Sequence, residues 1–168
     1  MQTTRRNWLI STALIAGLTG CGFELRKPPR YAFSTMYSGI PIVSPFGVKL
    51  KRGLESSGQV EVINDPRQIE RADVIFDQLF ELREKVVVGR TSKGEIREYQ
   101  LRYRYRFRVR SRSGVELIPD TEIVLNRDIN YNETGALSKE SEEGLLYRDM
   151  ENDLVLQLQR RLASIRQI

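Results

Sequence analysis

The chain has no histidine and one cysteine, Cys21, in 168 residues. Without histidine it cannot build a Ser-His-Asp triad, a Cys-His pair or a His-ligated metal site, and the commonest general base is missing. One cysteine excludes an intramolecular disulfide and a zinc cluster. The one long uncharged apolar run, Trp8 to Leu18, is too short to span a bilayer as a stable helix. Charged residues make up 29% of the chain, too many for a polytopic membrane protein, and hydrophobic residues 40%, too many for a disordered one. The length fits a single domain.

What is present begins with an export signal. Arg5 and Arg6 form a positive start, the apolar run follows, and it closes on Leu18-Thr19-Gly20-Cys21. Small residues directly before a cysteine resemble the bacterial lipobox, in which the cysteine is acylated and becomes the new N-terminus. The competing reading is a simple signal peptide with a chance cysteine, but the only cysteine falls at the one position the lipobox requires. Thr4-Arg5-Arg6-Asn7-Trp8-Leu9 also has a faint twin-arginine likeness, so Sec and twin-arginine export both stay open. Residues 1–20 hold two arginines and no acid, so a chain starting at Cys21 keeps 148 residues and a net charge of +3. In this lipoprotein class an aspartate after the cysteine marks inner-membrane retention. Gly22 therefore resembles outer-membrane sorting, with the body on the periplasmic face. The expected division is a signal peptide over 1–20, an acylated tether over 21–30 containing Pro28 and Pro29, and one domain over 31–168.

Within that domain, Tyr31 to Gly39 reads as a first strand, with Phe33, Thr35 and Tyr37 on one side. Ser44-Pro45 predicts a helix start, Phe46, Leu50 and Leu54 its apolar stripe, and Gly58 its left-handed end. Val60 to Ile63 is a short strand. Asp73 to Val88 is a long one, with Val74, Phe76, Phe80 and Leu82 opposite Asp77 and Glu81. Gly89 to Gly94 is a hairpin tip, Glu95 to Arg112 the return strand, Pro119-Asp120 a turn, and Thr121 to Tyr131 a further strand. From about Gly135 the period becomes helical: Leu146, Met150, Leu154, Leu158 and Leu162 recur every four residues. Early glutamates and late arginines match the helix dipole. The expected fold is α+β, two helices on one face of a mostly antiparallel four- to five-stranded sheet.

Leu101 to Arg110 alternates strictly for ten residues. As a strand it puts Leu101, Tyr103, Tyr105, Phe107 and Val109 on one face and Arg102, Arg104, Arg106, Arg108 and Arg110 on the other. Five like charges need counter-charge, and Asp77 and Glu81 on one neighbour, with Glu122 and Asp128 on the other, are placed to supply it. A solvated face of cross-strand ion pairs is one reading. A surface for an anionic partner, carried by Arg102, Arg104, Arg106 and Arg108, is the other. Nucleic acid does not fit, because the aromatics lie on the face opposite the arginines and the chain is exported.

Cys21-Gly22-Phe23-Glu24-Leu25-Arg26, the hairpin ending Glu98-Tyr99-Gln100, and Ala136-Leu137-Ser138-Lys139-Glu140 opening the last helix resemble one family. It is the lipopolysaccharide-assembly lipoprotein family LptE, the small partner of the LptD outer-membrane barrel. The likeness runs over the whole mature chain, on short motifs. It implies two helices on a four-stranded sheet that plugs the partner's barrel, no enzyme activity and no cofactor, and a role in barrel assembly and lipopolysaccharide delivery. It implies lipopolysaccharide contacts at the hairpin tip and the start of the last helix, positions held here by Arg90, Lys93 and Lys139. The chain departs from the family in ending soon after the helix and in its arginine-rich strand. Two other functions compete: a scaffold or pilotin of another envelope machine, and a hydrolase using Asp77 and Glu81. The second is disfavoured because residues i and i+4 along a strand lie about 13 Å apart.

Overall fold

The computed structural model describes residues 29–131 and 136–168, apart from the side chains of 136–138. The expected signal peptide and Cys21 lie outside the described residues. The elements run β1 (Thr35–Ser38), α1 (Pro45–Glu55), β2 (Glu61–Ile63), a 3-10 turn (Pro66–Arg71), β3 (Val74–Arg90), β4 (Ile96–Ser111), β5 (Glu116–Asn130) and α2 (Ala136–Leu162). The strands form one sheet in the order β2-β1-β3-β4-β5. β1 is parallel to β2 and β3, while β3, β4 and β5 pair antiparallel. The α+β fold read from the sequence is the one observed, with five strands.

The inward face of β4 organises the core. Leu101, Tyr103, Tyr105, Phe107 and Val109 are each at most 1% exposed. Phe46 of α1 tilts against Tyr105 at 4.9 Å, and Phe76 of β3 stacks on Phe107 at 5.3 Å. Ser44 caps α1 by accepting from the Gly47 N–H, Pro45 opens the helix, and Phe46, Leu50 and Leu54 are buried. Gly58 takes the left-handed conformation, with φ at 67°. Met150, Leu154, Leu158 and Leu162 of α2 bury against the same core, with Leu146 half-buried. α1 and α2 run parallel, since Lys49 meets Glu151 and Gly53 meets Val155 and Gln159.

Three local readings are corrected. The first strand is short, and Met36 rather than Thr35 or Tyr37 points inward; Phe33 is buried just ahead of it. Asp73 fixes the start, its Oδ2 accepting from the Ser34 N–H, the Ser34 hydroxyl and the Thr35 N–H, each at 2.9 Å. The Pro119-Asp120 pair is not a turn but lies inside β5. That strand is at the sheet edge, where proline's missing donor is tolerated, and register shifts opposite Phe107 to Arg110 absorb the irregularity. The third correction is a bulge in β3 between Gln78 and Phe80. One extra residue, Leu79, swaps the faces. Phe80 and Leu82 therefore pair with Arg106 and Arg104 on the open face, while Glu81 pairs with Tyr105 on the covered face.

Candidate functional site

The turn of the β3–β4 hairpin is closed by Thr91 N–H to Glu95 O at 2.8 Å and Gly94 N–H to Thr91 O at 2.9 Å. Gly94 has φ 85°, a conformation in which a side chain is strained. Arg90 is the last residue of β3, and its guanidinium donates to the Gly94 carbonyl at 2.9 Å. Lys93 is exposed, and its ammonium has no hydrogen bond or ion pair among the described residues. Among the described residues, neither cation of the tip has an ion pair with an acid.

Lys139 lies in the first turns of α2. Glu143, one helical turn on, pairs with Lys85 at 2.7 Å, and Lys139 pairs with Glu142 at 2.7 Å. Glu151 of α2 meets Arg83 and Glu143 meets Lys85, so α2 runs backwards along β3 and its start points toward the hairpin. Lys139 therefore shares an end of the molecule with Arg90 and Lys93, with no direct bond between them.

The arginines of β4 occupy the open face, as the alternation requires. Arg104 pairs with Glu122 at 2.8 Å, Arg106 with Asp120 at 3.0 Å, and Arg108 and Arg110 share Asp77 at 2.9 and 3.0 Å. Arg102 donates to Gln100 at 2.8 Å, which in turn donates to Asp128 at 2.9 Å. Asp77 and Glu122 serve as expected. Glu81 does not, because the bulge turns it inward to accept the Tyr103 hydroxyl at 2.7 Å. Burial works against the charge on Asp77, but hydrogen bonds and charges from Arg110 and Arg108 outweigh it and hold its pKa below the ordinary value. The face is a ladder of arginines compensated by Glu122, Asp120 and Asp77. Reversing two rungs, Arg104→Glu with Arg106→Glu, should lower stability by about 1–2 kcal/mol, since exposed pairs contribute little each and like charges replace them. Chemical denaturation followed by circular dichroism measures it. The same bulge puts Asp77 and Glu81 on opposite faces, so they form no carboxylate pair.

One polar site was not anticipated. Glu151 is 4% exposed on the covered side of α2. It accepts from Lys49 of α1 at 2.7 Å and from Arg83 of β3 at 2.5 Å. Arg83 also lies over the Tyr103 and Tyr147 rings at 4.8 and 5.6 Å. The signal in the sequence was an acid directly after Met150, on the border of the apolar stripe. Burial raises the Glu151 pKa, and the hydrogen bonds and charges of Lys49 and Arg83 overcome this, leaving it below the ordinary carboxylate range.

A family model described as LptE, lipopolysaccharide-assembly, matches residues 33–162. The solution NMR structure of uncharacterized lipoprotein B from Nitrosomonas europaea superimposes with a TM-score of 0.71 at 29% identity, covering 85% of this chain and 91% of that one. Rare lipoprotein B from Shewanella oneidensis gives 0.60 at 19% identity, covering 78% and 92%. A minor lipoprotein from Acinetobacter baumannii gives 0.61 at 17%, covering 80% and 94%. The last two speak for the fold alone. No curated protein matches the chain.

Proposed function

The chain belongs to the LptE family of lipopolysaccharide-assembly proteins, and from that premise we propose that it is an outer-membrane lipoprotein anchored through Cys21. It plugs and helps assemble an LptD-type β-barrel, and it binds lipopolysaccharide during delivery to the cell surface. The family match across residues 33–162 carries the reading. Its work is binding and assembly, with no catalytic step. Among the described residues no helix is long and apolar enough to cross a membrane; the acyl group on Cys21 is the attachment in this reading. Several acyl chains on one cysteine hold firmly, because each buried methylene adds about 0.8 kcal/mol.

The lipid's sugar headgroup carries phosphates. One exposed cation gains little against one phosphate in salt, so useful affinity needs several converging cations and forked arginine contacts. Arg90 and Lys93 at the tip supply two, and Lys139, partly neutralised by Glu142, a weaker third. We expect Arg90→Glu with Lys93→Glu to weaken lipopolysaccharide binding at least tenfold in a pull-down or calorimetric titration, without loss of fold or barrel co-purification. Binding should also fall steeply with added salt. Normal binding by this variant, with loss in the Arg104→Glu/Arg106→Glu pair, would move the site to the sheet face. Co-purification with a secretin in place of a barrel of the LptD type would assign the chain to another envelope machine as its scaffold or pilotin.

A further inference from the structure

The end of the domain opposite the hairpin tip carries its own charge pattern. β1 begins there, tied to Asp73 at the start of β3. The β4–β5 turn lies there too, since the Arg112 N–H donates to the Asp73 carbonyl at 3.3 Å. The α1 crossover joins two parallel strands, so α1 returns to this end, and α2 runs parallel to it. Residue 29, where the described chain begins, and the last turns of α2 therefore share one end.

The charges at this end fall into two groups. Arg67 pairs with Asp65 at 2.9 Å and Arg71 with Glu61 at 3.6 Å. The Arg112 guanidinium donates to the Glu70 carbonyl at 3.0 Å. Asp73 is spent on the β1 backbone. Arg30, Arg52, Arg160, Arg161 and Arg166 are different: none has an ion pair among the described residues. Residues 154–168 contain no aspartate or glutamate. The negative end of the helix dipole is equivalent to about half a charge and accounts for no more than one of the three arginines on α2 and just beyond it. Two apolar side chains accompany them, Leu156 at 50% and Ile168 at 52% exposure.

We propose that this arginine-rich end, formed by Arg30, Arg52, Arg160, Arg161 and Arg166, is a docking surface for an anionic phospholipid bilayer. Basic side chains beside exposed aliphatic ones suit the headgroup boundary, where each Lys or Arg near an anionic surface contributes about 1 kcal/mol. The nine steps from Cys21 to residue 30 reach at most about 32 Å. An anchor at Cys21 therefore keeps this end within reach of the leaflet and leaves the tip pointing away. The surface orients the tethered body; the phosphates of lipopolysaccharide belong to the other end.

The test uses site-specific fluorescence. With Cys21→Ala, a cysteine placed at exposed Ser164 is unique, and one placed at exposed Ser92 reports on the tip. Each protein, prepared as the mature chain 21–168 without the export signal and labelled with an environment-sensitive dye, is mixed with vesicles of phosphatidylcholine alone or with 30% phosphatidylglycerol added. We expect at least a twofold rise in intensity at position 164 with anionic vesicles, little with neutral ones, and none at position 92. Arg160→Glu, Arg161→Glu and Arg166→Glu together should abolish the rise while circular dichroism, lipopolysaccharide binding and barrel co-purification stay unchanged. A rise at 92 instead of 164, an equal rise with neutral vesicles, or an undiminished rise in the triple variant overturns the proposal. So does loss of lipopolysaccharide binding in that variant with the vesicle response intact. Failure of the tip variant to affect lipopolysaccharide counts against the proposed function alone.

Discussion

Leu154→Ala should destabilise the domain by about 2–5 kcal/mol, a large share of the total for a fold of this size. Leu154 is 1% exposed, midway along α2, with Met150 and Leu158 one turn to either side at 0%. Removing its terminal carbons forfeits their transfer free energy and leaves a hole that both helices and the sheet would have to close. Parallel α1 and α2 are held by Lys49–Glu151 and by the contact of Gly53 with Val155 and Gln159, so they have little room to do so. A thermal melt reads the effect as a drop of roughly 6–20 °C. A shift of a degree or two would mean that the stripe meets a partner and not this core. The outward neighbour Leu156, half exposed, serves as the control, and Leu156→Ala should stay within about 0.5 kcal/mol.

Glu151→Gln should cost about 3 kcal/mol. The variant keeps the shape but removes the charge that Lys49 and Arg83 converge on, and breaking one side of a buried ionic cluster leaves its partners uncompensated. Both cations keep some access to water, at 32% and 40% side-chain exposure, which places the effect at the lower end of the range for such sites. The pH dependence gives a second reading. Glu151 has a folded pKa below its ordinary 4.5. Below 4.5 the unfolded state binds the proton more readily, so the stabilisation is complete above that pH and disappears as pH falls through the folded value. Asp73 and Asp77 are also held below their usual 3.8: burial opposes each charge, while Ser34 and Thr35 on Asp73, and Arg110 and Arg108 on Asp77, outweigh it. The native protein should therefore lose stability in acid over the window beneath about pH 4.5, and Glu151→Gln should flatten its upper part. An unchanged acid profile in the variant would show that the carboxylate is not the anchor of the three elements.

Much of this architecture needs only local chemistry. Ser44-Pro45 with the Phe46, Leu50, Leu54 stripe makes α1, because a cap and an apolar face at helical spacing leave the segment one way to bury itself. The ten-residue alternation of β4 fixes which residues are core and which are solvent, since a strand has two faces and a period of two. The α2 stripe and the hairpin with Arg90 and Lys93 follow for similar reasons, and the family likeness was carried by short motifs that needed no coordinates.

Pairing between segments distant in sequence settled the remainder. The slip at Leu79 carries no mark in composition, yet it reverses the side chains from Phe80 to Val87, sending Phe80 to the open face and Glu81 and Arg83 to the covered one. Glu143 pairs with Lys85, 58 residues away in sequence, while Lys139 pairs with Glu142. Glu151 became a junction because α1 and β3 each brought a cation to one point of α2. Arg52, Arg160, Arg161 and Arg166, without an ion pair among the described residues, share one end because the return of α1 and α2 carries them to where the described chain begins. Alternation and capping are set by neighbours within a turn or two along the chain. Register and charge partners are set by contacts that exist after the layers close, and a linear pattern cannot assign them.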